Sequence, residues 1–375
     1  MASAADSGHD DLAAYLALSQ IPGIGAARLR TLIAAFGSAG GALTAPRGAI
    51  AALPGFGPAA ATAVRATDRR AGLEIISQLE HCGARAVIPG DSGFPALVAE
   101  IPDPPAVLFV WGDASLLARP AAAIVGSRNH TPYGADAARL LAAGIAPAVV
   151  IVSGMARGLD AIAHSAALDA SGGTIGVLGN GFGVVYPAAN RALYERVAAD
   201  GCLVTELPPG ERPRVSTFPR RNRIISGIAG VTVVVEAAVN SGALITADCA
   251  LDQGRGVLAV PGPITSPTST GCNKLIQQGA KPALCAADIL EELGIASTVP
   301  GGGGGGPAAA MPRPRPTDLN ELQRSVWEAL AAHAEHVDAL VAGTGYGVGE
   351  VLTALTELEL RGVVAQRPGM IFALA

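Results

Sequence analysis

Small residues and arginines follow two of the short apolar runs in the middle of the chain, in positions where they could bind phosphate groups. The first loop is Gly126-Ser127-Arg128-Asn129, and the second is Ser153-Gly154-Met155-Ala156-Arg157-Gly158. A glycine lets the backbone approach an anion closely, and a guanidinium pairs well with phosphate oxygens. Each loop leads into a stretch of helical pattern, whose first N–H groups also favour an anion. The two loops therefore predict an anion-binding site.

A later loop carries a cluster of arginines. Five arginines fall within 12 residues, with Phe218 and Asn222 among them: Arg212, Arg214, Arg220, Arg221 and Arg223. Guanidinium groups pair with phosphates and aromatic rings stack on bases, so this mixture is typical of proteins that bind a single strand of nucleic acid. The loop after the next apolar run adds Ser241 and Gly242. Small residues and arginine clusters are also common without any ligand, so the prediction rests on their combination.

Short apolar strands and intervening helices must position these loops. The runs that predict strands are Ala123–Val125, Val149–Val152, Thr174–Leu178, Cys202–Thr205, Val231–Val235 and Val257–Val260. Continuous apolar strands joined by helical crossovers indicate a parallel sheet covered on both faces. We therefore expect an α/β fold with an extended, Rossmann-like, doubly wound sheet that is mostly parallel. Ligands of such sheets bind beyond the carboxyl ends of the strands, where these loops would meet.

Composition divides the chain into four segments. Residues 1–70 are helical in pattern and contain Ile21-Pro22-Gly23-Ile24-Gly25 and Leu53-Pro54-Gly55-Phe56-Gly57, which predict a helix-hairpin-helix or SAM-like domain. The amides of these hairpins could hold a phosphate, or the hairpins could serve packing alone. Residues 71–295 form the predicted Rossmann-like domain. Six consecutive glycines, Gly301 to Gly306, and the prolines after them predict a linker over 296–316.

Residues 317–375 predict a winged-helix domain, because two helices, a turn, a longer helix and a terminal hairpin follow one another. Residues 318–375 hold 3 basic and 8 acidic side chains, whereas residues 120–285 hold 13 basic and 10 acidic ones. A helix that enters a DNA groove needs cations, so we expect the tail to dock a protein or support a dimer.

The cysteine pattern and the lengths of the apolar stretches exclude several classes of protein. No apolar stretch is long enough for a membrane span, and the N-terminal residues lack the features of a signal peptide. The five cysteines are scattered, so we expect neither disulfides nor a metal site, and a reducing cytoplasm fits. The chain has no P-loop and no dinucleotide fingerprint at its first central strand, so we expect no cofactor.

The motifs of the central segment resemble those of the DNA-processing protein A family (DprA/Smf). They are Ala123-Ile-Val-Gly-Ser-Arg128, Ser153-Gly-Met-Ala-Arg-Gly-Leu-Asp160 with His164, Tyr186-Pro187 with Asn190, Thr205-Glu-Leu-Pro208, Phe218-Pro-Arg-Arg-Asn-Arg-Ile-Ile-Ser-Gly227, Glu236 with Ser241-Gly-Ala-Leu-Ile-Thr-Ala247, Ala259-Val-Pro-Gly262 and Gly271-Cys-Asn-Lys-Leu-Ile276. The resemblance implies a non-enzymatic protein that binds single-stranded DNA, protects incoming strands during natural transformation and helps to load a RecA-type recombinase. It also implies a homodimer formed through the Rossmann-like domain.

The family's DNA pocket, carried over by position, falls on the first loop and on the Phe218 segment. Val215 stands where some members have a lysine, and its neighbour Arg214 could substitute for that lysine. Together with the loops described above, the predicted contacts of single-stranded DNA are Gly126, Ser127, Arg128, Asn129, Arg157, Arg214, Phe218, Arg220, Arg221, Asn222, Arg223, Ser241, Gly242 and Lys274. We expect no catalytic residue among them.

Two further functions compete with DNA binding. One is a nucleotide N-glycoside hydrolase similar to the lysine-decarboxylase-like phosphoribohydrolases, whose Pro-Gly-Gly-x-Gly-Thr-x-x-Glu run supplies a glutamate. The corresponding stretch here, residues 240–246, has no glutamate in register, which favours binding over hydrolysis. His164 lies one helical turn after Asp160 and could be a general base, although a helix-capping or core hydrogen bond fits it better. A scaffold that acts through its winged helix would leave the five arginines unexplained.

Overall fold

The computed structural model describes residues 4–296, 319–332, 335–367 and 369–374. By its internal contacts the chain divides into two units, Met1–Pro300 and Gly301–Ala375. Within the described residues, no helix combines the length and the apolar character needed to cross a membrane. All five cysteines have free thiols, and burial raises the pKa of the Cys202 and Cys272 thiols to about 12.

Six helices open the first unit. They are α1 (Ala4–Ser19), α2 (Ala26–Phe36), α3 (Ala39–Thr44), α4 (Arg47–Ala51), α5 (Pro58–Ala66) and α6 (Arg70–His81). The two predicted hairpins join α1 to α2 and α4 to α5, and each turns at a glycine of positive φ, Gly23 at 82° and Gly55 at 79°. Arg28 links the hairpins, since it donates to the Gly23 carbonyl and lies over the Phe56 ring.

These helices pack on the sheet domain. The Tyr15 hydroxyl of α1 donates to the Ala106 carbonyl at 2.8 Å, and burial raises its pKa to about 12. Leu16 shares a core with Phe109 and Leu203 of the sheet. The predicted domain boundary at residue 70 coincides with the start of α6, and it stays a prediction.

Nine strands form the sheet of the first unit: β1 (Ala84–Val87), β2 (Leu108–Gly112), β3 (Ala121–Val125), β4 (Val150–Ser153), β5 (Thr174–Val177), β6 (Cys202–Thr205), β7 (Val231–Val234), β8 (Gly256–Ala259) and β9 (Lys281–Pro282). Their order is β1-β2-β6-β5-β4-β3-β7-β8-β9. Strand β2 pairs antiparallel with β1 and β6, and all other pairs are parallel. The expected mostly parallel α/β sheet is therefore confirmed, and its six predicted strands correspond to β3–β8.

Helices cover both faces of this sheet: α7 (Ala96–Ala99), α8 (Pro132–Ile145), α9 (Leu159–Asp169), α10 (Arg191–Asp200), α11 (Thr217–Ile228), α12 (Gly242–Asp252), α13 (Thr270–Gln277) and α14 (Ala286–Glu292). Successive residues of β3 point to opposite faces. Ala122 and Ile124 pack with α8, α9 and α14, whereas Ala123 and Val125 pack with α11, α12 and α13. Because β3 to β9 all run parallel, their carboxyl ends lie at one edge of the sheet.

The second unit has the expected winged-helix arrangement. It contains α15 (Glu321–Ala332), β10 (Glu335–His336), α16 (Val337–Thr344), α17 (Val348–Leu360), β11 (Val364–Arg367) and β12 (Ile371–Leu374). The strands form an antiparallel sheet in the order β10-β12-β11. Val326, Leu340, Leu355 and Phe372 meet in its core. The predicted linker lies, from residue 297 onward, outside the described residues.

Candidate nucleic-acid interface

The first two loops meet at the carboxyl edge of the sheet. The first joins β3 to α8 and the second joins β4 to α9. The N–H of Leu159 donates to the Ser127 carbonyl at 3.2 Å. Gly158, at a φ of 90°, approaches so closely that a Cβ there would lie 2.5 Å from the same oxygen. Glycine is therefore required at position 158, whereas a Cβ on Gly126 would lie 2.4 Å from Leu159 Cδ1 and would have to displace that side chain.

Polar side chains hold the two loops together. The Ser127 hydroxyl donates to the Asn129 carbonyl at 2.8 Å and accepts from the Asn129 N–H at 3.1 Å. The Arg157 guanidinium donates to Asn129 Oδ1 at 3.1 Å. Arg128 and Arg157 are exposed. The edge therefore presents two cations on a shaped backbone.

Glu236 fixes the end of the first loop. Its buried carboxylate accepts from the N–H of Thr131 at 2.9 Å and from the Thr131 hydroxyl at 2.5 Å. Thr131 is the N-cap of α8, since its hydroxyl accepts from the Gly134 N–H at 3.1 Å. Both carboxylate oxygens are thus used in positioning the loop and the helix.

The predicted arginine loop proves to be partly helical. Arg220, Arg221 and Arg223 lie within α11, which begins at Thr217, so the prediction of a loop there was wrong. One face of α11 lines a cavity at the carboxyl edge of the sheet, through Phe218, Arg221, Asn222 and Ile225. These positions repeat at three and four residues, which places them on one side of a helix.

Arg221 is a buried cation that lines this cavity. Its guanidinium donates to the carbonyls of Gly154 and Val177. Burial lowers its pKa to about 10, against the attraction of Asp160, so it stays charged at neutral pH. Asp160 accepts from the N–H groups of Gly154 at 3.1 Å and Ala156 at 3.4 Å. Burial raises the pKa of this carboxyl, and Arg221 opposes the shift.

Aromatic rings stand beside the cations. The Arg128 guanidinium carbon lies over the Phe218 ring, 5.7 Å from its centroid. The Tyr186 ring lies 5.4 Å from the Phe218 ring, centroid to centroid, with 37° between the planes. Gly179 makes room for this pair, because a Cβ there would lie 2.9 Å from the Phe218 ring. Sequence reasoning did not assign Tyr186 to the site, although its motif pointed to the region.

Two adjoining cavities collect most of the predicted residues. The larger, of about 630 Å³, is lined by Gly126, Ser127, Arg128, Asn129, Phe218, Arg221, Asn222, Ser241 and Gly242 among others. The smaller, of about 240 Å³, lies between the second loop and the aromatic pair and is lined by Arg128, Arg157, Asn180, Tyr186, Phe218 and Arg221 among others. Ten of the fourteen predicted contacts thus line one cavity or both.

The other four predicted contacts lie elsewhere. Arg214 pairs with Glu211 at 2.9 Å and is 71% exposed, while Lys274 is exposed on α13. Arg220 pairs with Glu206 at 3.0 Å. Arg223 pairs with the same glutamate and is only 12% exposed, and both arginines line a separate cavity beside the first hairpin.

No acid–base pair forms between Asp160 and His164, both of which are described. His164 Nδ1 donates to the Thr174 hydroxyl at 2.7 Å, since that hydroxyl itself donates to the Ile151 carbonyl. Burial lowers the pKa of His164 to about 3. This is the core hydrogen bond that the sequence favoured. In the part of the chain that the structure describes, no group of His, Cys, Asp and Glu side chains could hold a metal ion.

Comparison with known families matches both units. Residues 85–294 match the family described as DNA recombination-mediator protein A, and residues 309–370 match the DprA winged helix domain. Among curated proteins, a putative DNA processing protein DprA of Mycobacterium tuberculosis is 40% identical over 324 residues, which is 81% of this chain and 80% of that protein. Protein Smf of Synechocystis is 32% identical over 391 residues, which is 96% of this chain and 98% of that protein.

Solved structures agree with these matches. DNA processing protein A of Streptococcus pneumoniae is 34% identical with a TM-score of 0.67, covering 76% of this chain and 97% of that one. DNA processing protein A of Helicobacter pylori, whose structure is described for its single-stranded DNA binding mode, is 28% identical with a TM-score of 0.52, covering 57% and 96%. The chain is a member of the DNA-processing protein A (DprA/Smf) family.

Proposed function

We propose that the chain binds single-stranded DNA along the carboxyl edge of its sheet. The observation that supports this most directly is that the Arg128 guanidinium lies over the Phe218 ring and that both residues line the two cavities together with the buried Arg221. Exposed guanidinium groups pair with phosphates and aromatic rings stack on bases without reading their sequence. The Helicobacter pylori relative, described for its single-stranded DNA binding, supports this proposal.

The site offers binding groups rather than catalytic ones. Among the described residues that line the two cavities, Asp160 is the one carboxylate, and it is held by loop amides. The hydrolase alternative needs its glycine-rich run at the position of Ser241. Here the Ser241 hydroxyl caps α12 by accepting from the Ala243 N–H at 3.3 Å. We therefore favour a non-enzymatic protein over a nucleotide N-glycoside hydrolase. Incubation with nucleoside monophosphates tests this directly, and release of the free base would support the hydrolase alternative.

In the cell, the proposed role is to protect incoming strands during natural transformation and to help load a RecA-type recombinase. Membership of the family supports this role, and we propose that the protein acts in the cytoplasm. We also propose a homodimer through the Rossmann-like domain. Exposed Leu140 and Leu284, which line one cavity beside α8, offer apolar surface for such a contact.

An exonuclease protection assay tests the cellular role. A labelled single strand is digested with increasing protein, and the Arg128→Ala variant is the matched control. We expect the wild type to preserve the strand and the variant to preserve it poorly. Equal digestion with wild-type protein, variant and no protein would contradict protection. The recombinase step is tested by measuring RecA-dependent strand exchange with and without the protein.

A further inference from the structure

The smaller of the two cavities has walls that suit a flat ring. Tyr186 and Phe218 form one side, and Tyr186 is 43% exposed, so its ring is accessible to a ligand. Gly154, Met155 and Ala156 of the second loop also line the cavity. Met155 is held there at a φ of 55°, a conformation that non-glycine residues seldom adopt. The cavity is therefore bounded by aromatic rings and by a closely held loop.

The interior of this cavity is not suited to a phosphate. Its floor is Arg221, but that guanidinium already donates to two carbonyls and is attracted by Asp160. Gly154 lies so close that a Cβ there would be 2.3 Å from Arg221 Nη1. Arg128 and Arg157 also line the cavity, and both are exposed and can pair with an anion. An anion is thus expected outside and a neutral polar ring inside.

The volume sets the size of the ligand. Drug-sized ligands occupy pockets of roughly 300–1,000 Å³. At about 240 Å³ the smaller cavity is below that range and suits a single heterocycle. Arg128, Tyr186, Phe218 and Arg221 also line the larger cavity, so a chain can pass from one cavity to the other.

We propose that the smaller cavity receives one base of the bound strand, which stacks on Tyr186 while its flanking phosphates pair with Arg128 and Arg157. This inference rests on the proposed binding of single-stranded DNA and assigns a base-binding role to Tyr186. The strand then crosses the Arg128–Phe218 pair, and the next nucleotides enter the larger cavity.

Fluorescence anisotropy with two labelled oligonucleotides tests the inference. One is oligothymidylate, and the other has the same length and charge but abasic residues throughout. Stacking of a base on an aromatic side chain is worth about fivefold or more in affinity. We expect wild-type protein to bind oligothymidylate at least about fivefold tighter than the abasic strand. This comparison requires no substitution.

Variants of Tyr186 then locate the effect. Tyr186→Ala should bind oligothymidylate about fivefold or more weakly than the wild type and should bind the abasic strand equally well. Tyr186→Phe should restore the affinity for oligothymidylate. Tyr133→Ala is the matched control, because Tyr133 is a half-exposed tyrosine that lines a different cavity. Equal loss on both strands, or none on either, would overturn the base site while leaving DNA binding intact. Failure of the wild type to bind either strand would instead overturn the proposed function.

Discussion

The guanidinium carbon of Arg128 lies 5.7 Å from the centroid of the Phe218 ring. Arg128 comes from the loop after β3 and Phe218 from the first turn of α11. A cation over an aromatic face is attracted by the ring's quadrupole, and both side chains line both cavities. A phosphate and a neighbouring base of one strand can therefore be bound together at this pair.

Replacing Arg128 by alanine should weaken binding of single-stranded DNA by about tenfold or more, because a charge-assisted contact with phosphate is lost. The melting temperature should change little, since the side chain is exposed. Arg139→Ala is the control, as it removes an equal charge from a surface ion pair on α8. Unaltered binding with a much lower melting temperature would show that Arg128 is structural.

Arg223→Ala should act mainly on stability. Arg223 pairs with Glu206 away from the two cavities, and breaking a buried ion pair costs about 3 kcal/mol. Burial raises the pKa of Glu206, and after the substitution this buried carboxyl would keep the largely exposed Arg220 as its partner but lose the buried Arg223. Urea unfolding measures the loss, and anisotropy measures DNA affinity per folded molecule. A loss of affinity at unchanged stability would support the direct DNA contact expected from the sequence.

His164 should make the fold sensitive to acid. Its pKa is about 3 in the folded chain and 6.5 when unperturbed, so the unfolded state takes up a proton first as pH falls below 6.5. The contribution is complete above pH 6.5 and is lost as pH falls toward 3. Between pH 7 and pH 5 the wild type should lose about 2 kcal/mol more than His164→Gln in urea unfolding. Parallel losses would show that His164 does not carry the effect.

A truncation that ends at Pro300 should bind single strands within tenfold of the full chain. All residues of the candidate interface lie in the first unit, and the removed part is acidic. Losing negative charge leaves the attraction for phosphates unchanged or slightly stronger. A drop beyond tenfold in a truncated protein that is folded by circular dichroism would make the winged helix a DNA-binding element.

The parallel strands and the loops at their carboxyl ends could be predicted from the sequence, because buried parallel strands are continuous apolar runs. Strands β1, β2 and β9 were not predicted: β1 and β2 add antiparallel beside β6 without helical crossovers, and β9 has only two residues. The fate of each arginine depended on where α11 begins: from Thr217 the helix turns Arg221 toward the cavities and Arg223 toward Glu206. Tyr186 meets Phe218 only through the path of the chain after β5, which local patterning does not encode.

The most direct test is a titration of labelled single-stranded and duplex oligonucleotides of one length, at about 50 mM and about 200 mM salt. We predict tighter binding of the single strand, with little dependence on its base sequence. Affinity should fall steeply with salt, because phosphate contacts release counterions. Equal affinity for the duplex, or an affinity that does not depend on salt, would contradict the assignment of the Arg128–Phe218 edge as a site for single-stranded DNA.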